Sequence, residues 1–597
     1  MGRHQGRLEL TWTNKDRALL STGDGKYDYA FVDPHDPRVL EVRLLHEVER
    51  VEAATPADRP ADLPEPTTDN LLITGDSMHA LDALTKTPEL AAQYLGQVKL
   101  VYIDPPFNTG QAFDHYEDNI EHSIWLTLLR DRLRQIRPLL RDDGSVCVHL
   151  DDVEVHRCRA VLDEEFGESG FVGTVVWQKR YSRESRPAIG EVHDSLLVYA
   201  KNVDRFKAAR NKIKRTSAKE YRNPNNDPRG PWRVIPMTAP GTRKNQMYEI
   251  EGPDGRIWLP PAGRCWSTIR SGYEALVAAD RIRFGISGEG APGILRYLDE
   301  DEGLTPWTWW PHEEVGHTDE AKKEIQALFG ADDAFDTPKP ERLMRRIIEI
   351  GSDPGEIVLD AFAGSGTTAA VAHKLGRRWV TCELLPGTTE KFTKPRLSAV
   401  VHGTDHGGIT STTARVPAAE EGLPDGMEPE QAQLFTTLLN KIVKAGYDLD
   451  PATIRTLKGA AKTKNETTLN WHGGGGFTHM VVGPSMYEVD EDGDVFLSSE
   501  ATNGAWSKSV AAQLKFTLTP DHPVFCGVRG RQRLAVIDGV ADEVVVRTVL
   551  ENLSDRERAV IVAKAVLPEA QQLLGELSTG SRIRKAPDDL FPRRTVR

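Results

Sequence analysis

Cysteine is scarce in this chain: five among 597 residues (Cys147, Cys158, Cys265, Cys382 and Cys526), with no Cys-x-x-Cys pair. That spacing argues against a disulfide framework or a zinc ribbon, and no metal is expected. Also lacking is an uninterrupted apolar run of about 18 residues, the length that spans a bilayer. The opening stretch MGRHQGRLELTWTNKDR has no apolar signal core, so a cytoplasmic protein without a membrane partner is the expectation. Positive charge is short overall, with a formal net charge of −14, which argues against a protein that simply coats nucleic acid. The shortage is uneven. Residues 178–250 hold 17 Lys and Arg against 7 Asp and Glu, so that stretch is net +10 and the remainder net −24. A basic groove carried on an acidic scaffold follows.

The length exceeds what one core can fill, since single cores stop growing near about 250 to 300 residues. The loop ATPADRPADLPEPTTDN, broken by Pro60, Pro64 and Pro66, marks a first boundary. After it, NLLITGDSMHALDAL reads as a strand entering a helix, and YLGQVKLVYI as a buried strand. SIWLTLLRDRLRQIRPLL follows as a helix, RDDG as a turn, SVCVHL as a strand and VEVHRCRAVLDEEFG as a helix. This β/α alternation lapses near Trp177 and resumes with KPERLMRRIIEIG, EIVLDAF, AAVAHKLG and RWVTCEL. One α/β domain with a mostly parallel sheet is thus interrupted by an insert.

Two strand ends carry the chemistry. In VYIDPPFNTG, Pro105 and Pro106 stop the strand because they lack N–H donors, leaving Asp104 at a carboxyl edge, where open α/β sheets bind ligands. In VLDAFAGSGTT a strand ends near Asp360 to Phe362 and a turn through Gly364, Ser365 and Gly366 leads into a helix capped by Thr367 and Thr368. Glycines allow close backbone approach, and the helix start offers unpaired N–H groups. One strand later Glu383 can accept ribose hydroxyls. A nucleoside cofactor fits. The turn lacks the lysine of a triphosphate loop. Alone, a G-x-G also serves tight packing, and an acid after a strand also serves as a cap; the conjunction in one domain favours a site.

These motifs resemble the amino-methyltransferases that act on DNA with S-adenosylmethionine. The order, DPPF before FAGSGTT with a long insert between, is similar to the β class. NLLITGDSMHAL, YIDPPFNTG, SIWLTLLRDRL, VHLDDVE, DEEFG, HDSLLVYAKN, TPKPERLMRRII and DAFAGSGTTAAVA together resemble modification subunits of type III restriction systems and related phage-defence adenine methylases. The resemblance spans about Asn70 to Leu384. It implies a Rossmann-like methyltransferase sheet with a target-recognition insert and an additional α+β C-terminal domain. It also implies a base flipped from the duplex at a cost of a few kcal/mol. Asp104, Pro105, Pro106 and Phe107 form the implied catalytic set: Asp104 and the Pro105 carbonyl accept from the adenine amine, and Phe107 stacks on the base. S-adenosylmethionine is the implied cofactor. Its methionine end would meet Phe362, Gly364, Ser365, Gly366 and Thr367, and its ribose Glu383, with Asp76, Asp104, Lys339 and Asp360 in the same site.

The domains expected are 1–69, an N-terminal extension; 70–177, the catalytic half; 178–330, the target-recognition insert; 331–395, the cofactor-binding half; 396–430, a linker; 431–580, an interaction domain; and 581–597, a tail. The stretch KAARNKIKRTSAKEYR supplies cations for phosphates. Trp307, Trp309 and Trp310 are expected in a core, His193 in capping or packing, EVDEDGD in a hairpin turn and Gly473 to Gly476 in a flexible run. Expected partners are double-stranded DNA, a second copy of the chain, and a restriction, helicase or other defence-system subunit. Competing readings are cytosine-N4 methylation, disfavoured because that target more often goes with Ser in place of Asp104, and a DNA-binding specificity subunit whose site only senses the cofactor. Cytosine C5 chemistry is disfavoured because the chain has no Pro-Cys pair.

Overall fold

A computed structural model describes the chain except residues 1–7, 22–27, 109–119, 183–187, 214–220, 224–225, 286–288, 302, 332–334, 419–421, 425, 448–449, 491–493, 503 and 592–597. Residues 214–220 of the basic stretch KAARNKIKRTSAKEYR and the tip of EVDEDGD therefore lie outside the described residues. Residues 1–211 and 307–597 form one compact unit and residues 212–306 a second.

A ten-stranded sheet organises the first unit. Its central strands are parallel and run in the order Leu140–Leu150, Val98–Ile103, Ile357–Asp360, Arg378–Glu383, Leu71–Thr74, Gly475–Val482. They are almost wholly buried: Val98–Ile103 and Ile357–Asp360 expose no residue. Runs of Val, Ile and Leu suit a strand covered on both faces. One face packs on Ser77–Lys86, His122–Leu139 and Val155–Phe166, through Leu81, Trp125, Leu129 and Leu162; the other packs on Glu341–Gly351, Thr367–Lys374 and Lys394–Val401, through Leu343, Ile348, Val371 and Val400.

Connectivity sets the site. From Val98–Ile103 the chain crosses by His122–Leu139 to Leu140–Leu150 on one side; from Ile357–Asp360 it crosses by Thr367–Lys374 to Arg378–Glu383 on the other. The two strands are immediate neighbours, with Leu359 beside Val101. Between them lies a topological switch point, where diverging crossovers leave a crevice at the carboxyl edge.

Several sequence expectations are revised. The strand predicted to begin at Ser145 begins at Leu140, because RDDG pairs through a bulge beside Val98 and Leu100. Leu45–Ala53 is antiparallel to Gly475–Val482, so segments assigned to an extension and to a separate C-terminal domain complete the sheet itself. The Gly473–Gly476 run is packed rather than loose: a Cβ on Gly475 would lie 2.5 Å from the Thr67 carbonyl oxygen. Of the tryptophans, Trp310 is buried but Trp307 and Trp309 are 57% and 45% exposed; Trp309 and Trp310 are neighbours in one strand and so face opposite ways.

Towards the C-terminus a second sheet runs Thr517–Leu518, Gly527–Arg529, Gln532–Ala541, Arg558–Val566, Arg582–Lys585, the last three parallel and joined by Glu543–Glu551 and Pro568–Leu577. The 212–306 unit is built on a small antiparallel sheet of Trp232–Pro236, Gly293–Tyr297 and Ile282–Arg283, with Met237, Ile250, Trp266 and Ile294 as its core. No helix among the described residues is long and apolar enough to cross a membrane.

Candidate active site

Asp104 follows the last residue of Val98–Ile103, and the turn beginning at Ala361 follows Ile357–Asp360, so adjacent strands deliver both loops to one edge. They line a single cavity of about 1050 Å³ together with Phe107, Lys339, Asp360, Phe362, Gly364, Ser365, Thr367 and Glu383. Residues about 260 apart in sequence thereby face one volume.

The Asp104 loop is held rigidly. Pro105 and Pro106 are buried, and the Pro106 carbonyl accepts the Trp125 indole N–H at 2.7 Å. Asn108 turns the chain with φ of 63°, a conformation Asn tolerates. Its side chain donates to Glu154 at 2.9 Å and accepts from the Ile120 N–H at 2.8 Å. The Asp104 carboxylate is divided: Oδ2 accepts the Lys339 ammonium at 2.5 Å, while Oδ1 is buried with no partner among the described residues. Lys339 also lies 4.8 Å from the centre of the Phe107 ring, a cation–π distance. The lysine that sequence reasoning assigned to the cofactor thus contacts both ends of the DPPF tetrad.

Behind Phe107 lies a buried chain that the sequence reading did not place in the site. The Phe107 ring is 5.8 Å from that of His149, whose Nδ1 is 2.8 Å from the Tyr102 hydroxyl and whose Nε2 is 3.2 Å from Asp194 Oδ2. Lys179 donates to the other Asp194 oxygen at 2.6 Å. Burial opposes charge on His149 and lowers its pKa. Burial would raise Asp194, yet the His149 hydrogen bond and nearby cations bring it down to about 2. His149 falls within the quoted stretch VHLDDVE; the missing signal was strand register, which sets Cys147 of that strand opposite Tyr102 and so brings His149 beside it.

At the glycine turn, Gly364 and Gly366 have φ of 50° and 75°, and a Cβ on Gly364 would meet the Phe335 ring at 3.3 Å. Glu383 is pinned by two backbone donors: Gly364 N–H to Oε2 at 2.9 Å and Leu385 N–H to Oε1 at 3.0 Å. Burial nevertheless pushes its carboxyl up to about 7. Asp360 accepts the Phe362 N–H at 2.9 Å, and burial pushes it likewise to about 7. Thr367 is held from below by Arg396 at 2.7 Å, which also pairs with Glu341 at 2.8 Å. Asp336, another residue the sequence reading missed, lines the cavity with a buried Oδ2 that has no partner among the described residues.

Asp76 is placed differently. It caps Ser77–Lys86 by accepting the Met78 N–H at 2.8 Å and pairs with Arg132 at 2.7 Å. With Ser77, Ala361, Phe362 and Leu384 it lines a separate small pocket, while Gly366 is reached by neither lining. Both Asp76 bonds fall on Oδ1; Oδ2 accepts the Tyr29 hydroxyl at 3.3 Å. His193 opens the strand His193–Ala200, 3.7 Å from Asp152.

A family model described as DNA methylase, covering N6 and N4 methyltransferases, matches residues 98–394. The Mod subunit of the type III restriction-modification enzyme StyLTI from Salmonella typhimurium is 33% identical over 333 residues, covering 50% of this chain and 49% of that protein. The type II methyltransferase M.EcaI from Enterobacter cloacae is 29% identical over 293 residues, covering 48% of this chain and 61% of that one. The chain therefore spans about half to three-fifths of the length of these curated relatives. Among solved structures, PvuII DNA methyltransferase, titled cytosine-N4-specific, matches at 15% identity and a TM-score of 0.30, covering 56% of this chain and 89% of that one.

Proposed function

We infer, from the premise that residues 98–394 belong to the DNA methylase family of N6 and N4 methyltransferases, that this chain transfers a methyl group from S-adenosylmethionine to N6 of an adenine extruded from duplex DNA. The observation that carries this reading is the meeting of the Asp104 loop and the Gly364 turn on neighbouring strands around one cavity. Its volume suits a nucleoside cofactor beside a second, flipped nucleoside.

Three features fit the cofactor. A side chain at Gly364 would invade the cavity against Phe335, so bare backbone is required there. Asp336 offers a buried oxygen without a partner, suited to an ammonium. Both Glu383 oxygens accept backbone N–H groups, and the carboxylate keeps acceptor capacity for a ribose hydroxyl. Glu383, Gly364 and Asp336 would therefore hold it, and when bound its sulfonium supplies an electrophilic methyl.

The chain's own residues address the nucleophile. An adenine amine is a weak nucleophile because its lone pair is delocalised into the ring. Asp104 Oδ1 is the free acceptor for an amine N–H, and that hydrogen bond turns the lone pair towards the methyl. Lys339 fixes the other oxygen and so sets the carboxylate plane. Phe107 presents a face to the base, a contact worth about 1 to 3 kcal/mol. Such alignment can supply roughly 7 to 11 kcal/mol of the barrier.

StyLTI Mod is named as a subunit of a type III restriction-modification enzyme. We infer the corresponding modification role here, with a restriction subunit or other defence protein as partner, in the cytoplasm. The 178–330 insert supplies target recognition in this reading. Sequencing modified bases in DNA from cells expressing the chain tests it: N6-methyladenine at a defined site, absent with Asp104→Ala, is expected.

A further inference from the structure

Tyr181 is 61% exposed, large and aromatic, and it lines the same cavity as Asp104 and Phe107. It lies just beyond Phe171–Gln178, the strand whose Trp177 stands deep against His149. The ring is not a loose surface side chain. It rests on two imidazoles, 5.9 Å from His312 and 5.2 Å from His317, which are themselves 5.7 Å apart. Both supports are anchored: His312 Nδ1 lies 3.0 Å from the Gln178 side-chain oxygen, and His317 caps Thr318–Phe329 by accepting the Glu320 N–H at 3.2 Å. A rigid aromatic ring is thus presented at the mouth of a cavity whose floor carries the methyl-transfer groups.

A single exposed aromatic is ordinary on a protein surface; what sets Tyr181 apart is that it is braced by two rings while lining this cavity. The occupant follows from continuity with the cavity. An extruded base reaching Phe107 must leave its duplex at the mouth, and its departure opens a gap about 3.4 Å deep in the stack. Aromatic rings match that thickness and stack on any base, so they fill such gaps without reading sequence. The cavity lining mixes Lys179, Arg180 and Lys322 with Asp151, Glu191 and Asp319, so neither sign of charge prevails among them and stacking is what Tyr181 itself offers.

We propose that Tyr181, seated on His312 and His317, enters the duplex at the position vacated by the target adenine and holds it open. This rests on the methyltransferase reading above. It gives one residue of the 178–330 insert a task separate from reading the target sequence: holding the duplex open.

The test uses the full chain and a duplex carrying the methylation site mapped in cellular DNA, in two forms: fully paired, and with an abasic position opposite the target adenine. Tyr181→Ala should lower kcat/KM on the paired duplex by about tenfold or more, the worth of one stacking contact. On the abasic form, where opening is already largely accomplished, it should return to within about threefold of wild type. Tyr181→Phe should behave as wild type on both. With 2-aminopurine at the target position and no cofactor, wild type should raise the fluorescence on binding and Tyr181→Ala should not. Equal loss on both duplexes, no loss on the paired one, or an undiminished fluorescence rise would overturn the proposal. Failure of the parent reading looks different: wild type would then methylate neither duplex.

Discussion

The Lys339 ammonium lies 2.5 Å from Asp104 Oδ2 and 4.8 Å from the Phe107 ring centre, tying the two ends of the DPPF tetrad to a residue 235 positions away. If that contact sets the carboxylate plane, Asp104→Asn and Lys339→Met should differ in kind. Asp104→Asn should lower kcat at least about 100-fold, because it replaces one oxygen by a donor that repels the amine N–H. Lys339→Met should lower kcat by about tenfold while leaving DNA affinity nearly unchanged, since it loosens the acceptor without removing it. Single-turnover methyl transfer with separate DNA-binding titrations distinguishes these outcomes.

Glu383 and Asp360 give a pH dependence of defined sign. Burial holds both carboxyls near 7, above their unfolded values. The folded state then binds more protons than the unfolded state between about pH 4.5 and 7. Stability from these groups is greatest below that window and is lost as pH rises through it, by up to about 1.4 kcal/mol per group per pH unit. Ligand-free thermal unfolding should show Tm falling from pH 5 to 8, and Glu383→Gln should flatten part of the slope. Cofactor affinity should run the opposite way, strengthening as pH rises through 7 because the carboxylate is the better ribose acceptor; isothermal titration across that range checks it.

Gly364→Ala isolates the cofactor cradle. The site has φ of 50°, and the added Cβ would sit 3.3 Å from the Phe335 ring. A left-handed non-glycine residue costs about 1 to 2 kcal/mol, so the variant should fold with modestly reduced Tm. Cofactor binding should weaken at least about tenfold, because the methyl occupies space needed by the ligand. Equilibrium binding of S-adenosylmethionine, measured without DNA, is the relevant readout.

Beneath the glycine turn, Lys374 pairs with Glu341 and Asp405, each at 2.8 Å, and all three side chains are buried. Lys374→Met removes the cation that bridges the two buried carboxylates, leaving Arg396 to Glu341. Such half-removal of a buried ionic cluster costs about 3 to 5 kcal/mol. Urea unfolding should show that loss. A cost below about 1 kcal/mol would mean that water reaches the cluster.

How much of this was legible beforehand depends on range. Asp104 and Gly364 could be assigned to strand ends because prolines and glycines act locally, and their adjacency followed from α/β topology. The parallel core runs, such as VKLVYI and IVLD, were equally plain, because burial on both faces makes them continuously apolar. A carboxylate after a strand looks the same whether it caps a helix or binds a ligand; the Asp76 pairing with Arg132, 56 residues on, shows only in the fold. The His149 chain depended on register between strands, and the sheet contributions of Leu45–Ala53 and Gly475–Val482 on pairing across more than 400 residues. Neither leaves a local trace.

The most direct measurement is transfer of a labelled methyl group from S-adenosylmethionine to duplex DNA, followed by hydrolysis and identification of the labelled nucleoside, for wild type and Asp104→Ala. Label in N6-methyladenine with wild type, and none with a variant that still binds cofactor, is the expected result. Cofactor binding by wild type with no labelled DNA, or label in N4-methylcytosine instead, would contradict it.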